Sequence, residues 1–141
     1  MRVVVTPKPD MLVAMRAACV DPEALVLHAP SRTMLRLGRR AVFGPTAFAV
    51  FEAIALRRGV TVPYRDLYDA VWGHDPDGGP LSPQNMVARL RCMYAARLAA
   101  IGIDIAARHG FGLELARLGE RPQRLRKGVG PYSRLARARA A

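Results

Sequence analysis

Residues 82–115 read SPQNMVARLRCMYAARLAAIGIDIAARHGFGLEL, a helical pattern followed by a glycine-centred hairpin pattern. Ser82 and Pro83 suit the N-cap and first position of a helix, which we expect to run over residues 82–101. Large apolar residues recur along it at helical spacing, namely Val87, Leu90, Tyr94, Leu98 and Ile101. The opposite face carries Asn85, Arg89, Cys92 and Ala96. Gly110 and Gly112 then mark a tight hairpin over residues 103–115.

Two further helices are predicted before this stretch. Pro45 begins a helix to residue 58 with an apolar stripe that includes Phe48 and Phe51, and Gly59 ends it. Pro63 opens a short helix that places Leu67 inward and ends at Trp72, which we expect in the core. The loop over residues 73–80 (GHDPDGGP) separates it from the third helix. This order of helices and hairpin is the layout of an α+β winged helix-turn-helix domain.

The ends of the chain differ from this central part. Residues 1–31 form a lead-in with a predicted strand over 3–5, a helix over 11–20 capped by Asp10, and a strand over 24–29. A hairpin over 33–43, with Gly38, Arg39 and Arg40 at its tip, completes a small antiparallel N-terminal sheet. Residues 119–141 are a basic tail with little apolar content, for which we expect disorder. The predicted divisions are therefore 1–31, 32–118 and 119–141.

Composition restricts the possible functions. Lysine and arginine number 22 against 11 acidic residues, a net charge of +11 that attracts polyanions. Cys19 and Cys92 lack the spacing of a zinc site or a disulfide framework, and the histidines are scattered, so we expect no metal and no cofactor. The sequence shows no nucleophile–base pair and no carboxylate dyad that would indicate an enzyme. No signal-like or membrane-spanning apolar run occurs, so we expect a cytoplasmic, nucleoid-associated protein without membrane contact.

Four sequence pieces together resemble the effector domain of OmpR/PhoB-type response regulators. They are GPTAF at 44–48, YRDLYDAVWG at 64–73, SPQNMVARLR at 82–91, and the hairpin over 102–113. The resemblance covers about residues 33–118 and implies a winged helix that binds duplex DNA, commonly as a homodimer on tandem sites. It also implies that loop 73–80 can contact RNA polymerase. The chain has no counterpart of the receiver domain, so we expect no control by phosphorylation.

The resemblance and the helix face together nominate the DNA-contacting residues. Arg89 would contact guanine or phosphate, and Gln84 or Asn85 would read adenine. Residues that flank them in the same helix are candidates as well: Ser82, Ala88 and Arg91. Arg108 and His109 would serve in a wing over residues 105–115, and Arg39 and Arg40 would approach the phosphate backbone. The tail would add phosphate contacts from Arg121, Arg124, Arg126 and Lys127.

The leading hypothesis is a sequence-specific transcriptional regulator that reads duplex DNA with residues 82–101. One alternative is a winged helix that binds protein, either RNA polymerase or another regulator. It is suggested by Ala88 and His109, which stand where the family commonly has arginine. Another alternative is a non-specific architectural DNA binder driven by the basic tail. Residues 1–31 would mediate dimerisation or contact a partner.

Overall fold

The structure is a computed structural model that describes residues 1–6, 9–57, 59–108 and 110–120. The elements in chain order are β1 (Val3–Thr6), α1 (Met11–Val20), β2 (Leu25–His28), β3 (Thr33–Arg36), β4 (Arg39–Val42), α2 (Pro45–Ala55), β5 (Val62–Pro63), α3 (Tyr64–Trp72), α4 (Pro83–Ala100), β6 (Ile103–Arg108) and β7 (Gly112–Arg117). A short 3-10 turn, Ala29–Ser31, joins β2 to β3. The predicted mixed α+β class is confirmed.

The N-terminal sheet has the strand order β1-β2-β3-β4. Strands β2, β3 and β4 are antiparallel, whereas β1 is parallel to β2, with Val3 opposite Leu25. The prediction of a wholly antiparallel sheet is therefore wrong. The reason is α1, because a strand–helix–strand connection returns the chain in its starting direction. The boundary predicted between segments 1–31 and 32–118 falls between β2 and β3. These two strands pair with each other, so the sheet continues across that boundary.

Helix α1 and the main core cover opposite faces of this sheet. Asp10 caps α1 as predicted, its Oδ1 accepting a hydrogen bond from the Leu12 amide at 2.9 Å. Ala14 of α1 packs against Val26 and Leu35. The alternate residues of the same strands, Leu25, Leu27 and Met34, belong to the main core with α2 and α4. The residues of β2 and β3 are therefore buried on both faces.

A second sheet completes the C-terminal part of the fold, with strand order β5-β7-β6. The short β5 pairs antiparallel with β7, and β7 pairs antiparallel with β6. The predicted core residues are confirmed as buried: Phe48, Phe51, Leu67, Val87 and Leu90. Trp72, also expected in the core, is half-buried at its edge, with its ring 6.3 Å from that of Tyr68.

The β3–β4 hairpin turns at Leu37 and Gly38, one position earlier than expected. Both residues have positive φ, 54° and 72°, which is the backbone of a tight two-residue hairpin turn. The Leu37 amide also donates to the carbonyl oxygen of Pro22 at 2.8 Å. Arg39 and Arg40 consequently belong to β4 and do not form the tip, as the sequence had suggested.

A buried arginine joins the N-terminal sheet to the end of α4. Only 4% of Arg36 is exposed. Its Nε donates to the Glu23 carbonyl oxygen at 2.9 Å, and its Nη1 donates to those of Ile101 at 3.2 Å and Gly102 at 3.1 Å. Carbonyl groups at a helix C-terminus carry partial negative charge and suit a cation. Burial lowers the pKa of Arg36, and nearby Arg117 lowers it further, while Glu23 raises it.

Gly102 makes this contact possible. Its φ of +74° disfavours any L side chain, and a Cβ there would lie 2.6 Å from Nη1 of Arg36. Gly110 offers a matched comparison, since its φ is +70° but a Cβ would meet no atom within 4 Å.

We expect Gly102→Ala to destabilise the protein more than Gly110→Ala. The backbone cost alone is about 1–2 kcal/mol in both variants. In Gly102→Ala, displacement of the Arg36 guanidinium adds about 1–3 kcal/mol. Urea denaturation measures both changes in the free energy of unfolding. Equal losses in the two variants would contradict the packing role assigned to Gly102.

Candidate nucleic-acid interface

Helix α4 has one buried and one exposed side, as predicted. It spans 18 residues, with Val87, Leu90 and Leu98 buried. Ser82 occupies the N-cap position, where its carbonyl oxygen accepts from the Met86 amide at 3.1 Å. The Ser82 side chain makes no capping hydrogen bond within the described part of the chain.

The exposed side of the first half of α4 brings together four of the predicted residues. Gln84, Asn85, Ala88 and Arg89 are all exposed there. Within the described ranges, Arg89 makes no hydrogen bond or ion pair, so its guanidinium is available to a ligand. Its neighbours are short or uncharged, so little besides Arg89 projects from this surface.

Arg91 differs from the expectation. Its Nη2 donates to the carbonyl oxygen of Ile105 in β6 at 2.9 Å. Its Nε is buried, without a hydrogen-bond partner among the described residues. The side chain therefore links α4 to the following strand, and this placement does not favour a contact with phosphate.

Contacts that the sequence did not indicate hold the second half of α4. Nη1 of Arg97 donates to the Val42 carbonyl oxygen at 2.8 Å, and its guanidinium lies 5.0 Å from the centre of the Tyr94 ring. The Tyr94 hydroxyl accepts from the Gly44 amide at 3.2 Å. Its ring also lies 5.3 Å from that of Phe43. These bonds connect the second half of α4 to β4 and to the start of α2. The second half is therefore held against the rest of the fold, and the first half of α4 projects from it.

The β6–β7 hairpin carries an arginine and an aromatic ring near its tip. Arg108 is half-buried, and its guanidinium lies 5.8 Å from the centre of the Phe111 ring. Phe111 is 49% exposed, and its carbonyl oxygen accepts from the Tyr64 amide at 3.2 Å. Sequence reasoning missed Phe111, although an aromatic residue between two glycines was a usable signal. The predicted contact His109 lies outside the described residues.

Arg39 and Arg40 are exposed on β4, away from the Gln84–Arg89 surface. Arg40 lines a surface cleft with Arg97 and Ala100, at the far end of α4. At 1.5 Å per residue, Ala100 lies about 16 Å along the helix from Arg89. These two arginines therefore do not form one cluster with Arg89.

Most of the net positive charge lies outside the described residues. Residues 121–141 contain seven of the 22 basic residues and none of the 11 acidic ones. The predicted phosphate contacts Arg121, Arg124, Arg126 and Lys127 all fall in this stretch, outside the described ranges. Electrostatic attraction of the whole chain for a polyanion therefore depends strongly on the tail.

The loop over residues 73–80 has a defined conformation. The Asp77 amide donates to Oδ1 of Asp75 at 2.9 Å. Gly78 and Gly79 have φ of +80° and +82°, and a Cβ on Gly79 would lie 2.8 Å from the Trp72 side chain. Within the described part of the chain, no group of three or more His, Cys, Asp or Glu could hold a metal ion.

Arg89 and Arg91 give opposite expectations for stability. Arg89→Ala should change the free energy of unfolding by no more than about 0.5 kcal/mol, since it removes an exposed side chain without described partners. Arg91→Ala should lower it by about 1–3 kcal/mol, because the part-buried Ile105 carbonyl loses the donor that Arg91 supplies. Chemical denaturation of the two variants tests this difference. A larger loss of stability in Arg89→Ala than in Arg91→Ala would show that Arg91 is not the structural arginine of the two.

No family model matches the chain, and no curated protein gives a significant match. Among the described helices, none has the length and apolar character needed to cross a membrane. Function is therefore inferred from the fold and surface of the chain itself.

Proposed function

We propose that this protein is a winged-helix regulator of transcription that binds duplex DNA sequence-specifically, with α4 in the major groove. The observation that carries the proposal is the exposed first half of α4, which presents Gln84, Asn85 and Arg89 from a helix anchored at its other end. The element order supports it, since α2, β5, α3, α4, β6 and β7 follow one another and β5 pairs with β7. This is the order of a winged helix with β6–β7 as the wing.

The shape of α4 fits this role. A helix with its side chains is about 10–12 Å across, and the major groove is about 12 Å wide. Ala88 and Ala96 keep the outward side of α4 narrow, so that its backbone can approach the base edges. The long side chain of Arg89 then reaches a guanine, where two parallel hydrogen bonds distinguish it from other bases. Gln84 and Asn85, in the first turn, can pair with adenine in the same way.

Other residues would fix the register on the duplex. Arg108 at the hairpin would contact a phosphate, and the exposed Phe111 ring would lie against the sugars. Ser82 and the free amide groups of the first turn would bind the phosphate beside α4. The tail arginines would neutralise further phosphates without reading sequence. A homodimer on tandem sites, as the resemblance to OmpR/PhoB-type effector domains implies, would double these contacts.

One observation favours protein binding as a second candidate function. The outward side of the second half of α4 is apolar, with Met93 61% exposed beside Cys92 and Ala96. A surface of this kind suits a protein partner better than a charged phosphate backbone. RNA polymerase, which loop 73–80 would also contact, or another regulator would be such a partner.

The basic tail favours a third candidate, an architectural binder without sequence preference. Residues 121–141 carry a net charge of +7 and contain a single aromatic residue, Tyr132. A segment of this composition binds the phosphates of DNA strongly and without preference for the base sequence.

Selection from a random duplex library, followed by fluorescence anisotropy, separates these functions. We expect the full chain and a chain ending at Glu120 to select the same motif. The shorter chain should bind more weakly. A plot of the logarithm of its binding constant against the logarithm of salt concentration should be less steep, by about 0.9 for each lost phosphate contact. Arg89→Ala should weaken binding to the motif by about 5- to 150-fold, the loss of one bidentate contact to a base.

Arg16→Ala is the matched control, because Arg16 is an exposed arginine on α1, across the N-terminal sheet from the main core. It should bind the motif like the unchanged chain. Motif-free binding that disappears with the tail would favour the architectural candidate. Absence of any duplex binding would favour the protein-binding candidate.

A further inference from the structure

Helix α1 exposes large apolar side chains on its outer side. Leu12 is 57% exposed, Met15 51% and Val20 81%, whereas Ala14, Ala17 and Ala18 face the sheet. Single exposed apolar residues are common, but Leu12 and Met15 lie one turn apart on α1 and form a small patch. Water contact with such a patch is unfavourable, and burial against a partner would remove it.

A groove lies beside this patch, between α1 and the β3–β4 hairpin. Its volume is about 400 Å³, within the range of ligand-binding clefts. Met15, Ala18, Cys19 and Leu35 supply its apolar lining. We refer to this cleft, together with the adjoining outer side of α1, as the α1 groove.

The margin of the α1 groove is positively charged. Arg39 and Arg40 of β4 line one side. Both are exposed, and neither forms an ion pair with another residue in the described part of the chain. Arg36, which also lines the groove, directs its guanidinium to backbone carbonyls instead, so the charge available to a ligand comes from Arg39 and Arg40. An apolar cleft with unpaired cations at its margin is complementary to an apolar ligand that carries carboxylates.

We propose that the α1 groove binds an acidic amphipathic segment of a partner protein. The apolar side chains of that segment would occupy the cleft beside Met15 and Leu35, in the manner of a helix in a groove. Its aspartate or glutamate side chains would pair with Arg39 and Arg40. The proposal is independent of the function assigned to α4, because α1 and α4 pack on opposite sides of the N-terminal sheet.

Charge complementarity argues against two other occupants. A two-fold contact between copies of the chain applies the same surface to itself, and would bring the arginines of both margins together. The tail of this chain has the wrong sign, since residues 121–141 contain seven basic residues and no acidic one. A partner with carboxylates relieves the repulsion that either of these occupants would create.

Selection from a phage-displayed library of random peptides, with the full chain as bait, tests the proposal. We expect enriched peptides that combine apolar residues at helical spacing with aspartate or glutamate. A synthetic copy of such a peptide should bind at least about ten-fold more weakly to Met15→Asp and to the double variant Arg39→Glu with Arg40→Glu, as expected for central contacts. Arg65→Glu, at an exposed arginine of α3, is the matched control and should bind normally.

Met15, Arg39 and Arg40 are exposed, so these variants should unfold thermally like the unchanged chain, which separates lost binding from lost folding. Absence of any enriched peptide would overturn the proposal. Enriched basic peptides, or peptides that bind Met15→Asp with unchanged affinity, would overturn it as well. So would a dimer in sedimentation analysis that Met15→Asp dissociates, because the occupant would then be a second copy.

Discussion

The buried guanidinium of Arg36 is the interaction on which the arrangement of this protein depends. It bonds to three carbonyl groups from two places in the chain, namely Glu23 in the segment after α1, and Ile101 and Gly102 in the turn between α4 and β6. A planar group with five donors is suited to this task, since one side chain satisfies several acceptors. Removal of the guanidinium would take this donor from the carbonyls of Glu23 and Ile101, whereas the Gly102 carbonyl also accepts from the Leu118 amide at 3.0 Å. Arg36 thereby links the N-terminal sheet directly to the end of α4.

The orientation of α4 has consequences on both sides of the molecule. Arg97 and Tyr94 add bonds to Val42 and Gly44, so the second half of α4 is held while its first half projects. Gln84 and Arg89 are thereby presented on one side. The α1 groove lies across the N-terminal sheet from the main core, and a ligand there leaves the first half of α4 uncovered. Under the proposed function, one chain could hold DNA and an acidic partner at the same time.

Local sequence patterns predicted the features that depend on local physics. Helical spacing identified the buried and exposed sides of α4, and Asp10 correctly marked the start of α1. Phe51 and Leu67 were predicted as core because apolar stripes must be buried somewhere. The candidate surface on the first half of α4 followed from the same spacing, and its residues are exposed as expected.

The features that sequence reasoning missed depend on contacts between distant residues. Arg36 and Arg91 look like surface cations in the sequence, and only the approach of other backbone segments makes them internal donors. The parallel pairing of β1 is decided by the path of α1 and not by the composition of the strand. Arg39 and Arg40 were displaced from the expected tip because Leu37 adopts a positive φ that its residue type rarely takes.

The measurement that tests the central claim most directly is DNA cleavage by an iron chelate tethered to one cysteine at a time. Cys92 lies on the outer side of α4 and Cys19 on α1, and both are exposed free thiols. With the chelate on Cys92 in a Cys19→Ser chain, the account predicts cleavage confined to a few base pairs within the selected motif. With the chelate on Cys19 in a Cys92→Ser chain, it predicts little cleavage there. Equal cleavage from both positions, or none within the motif from Cys92, would contradict the claim that α4 lies in the major groove.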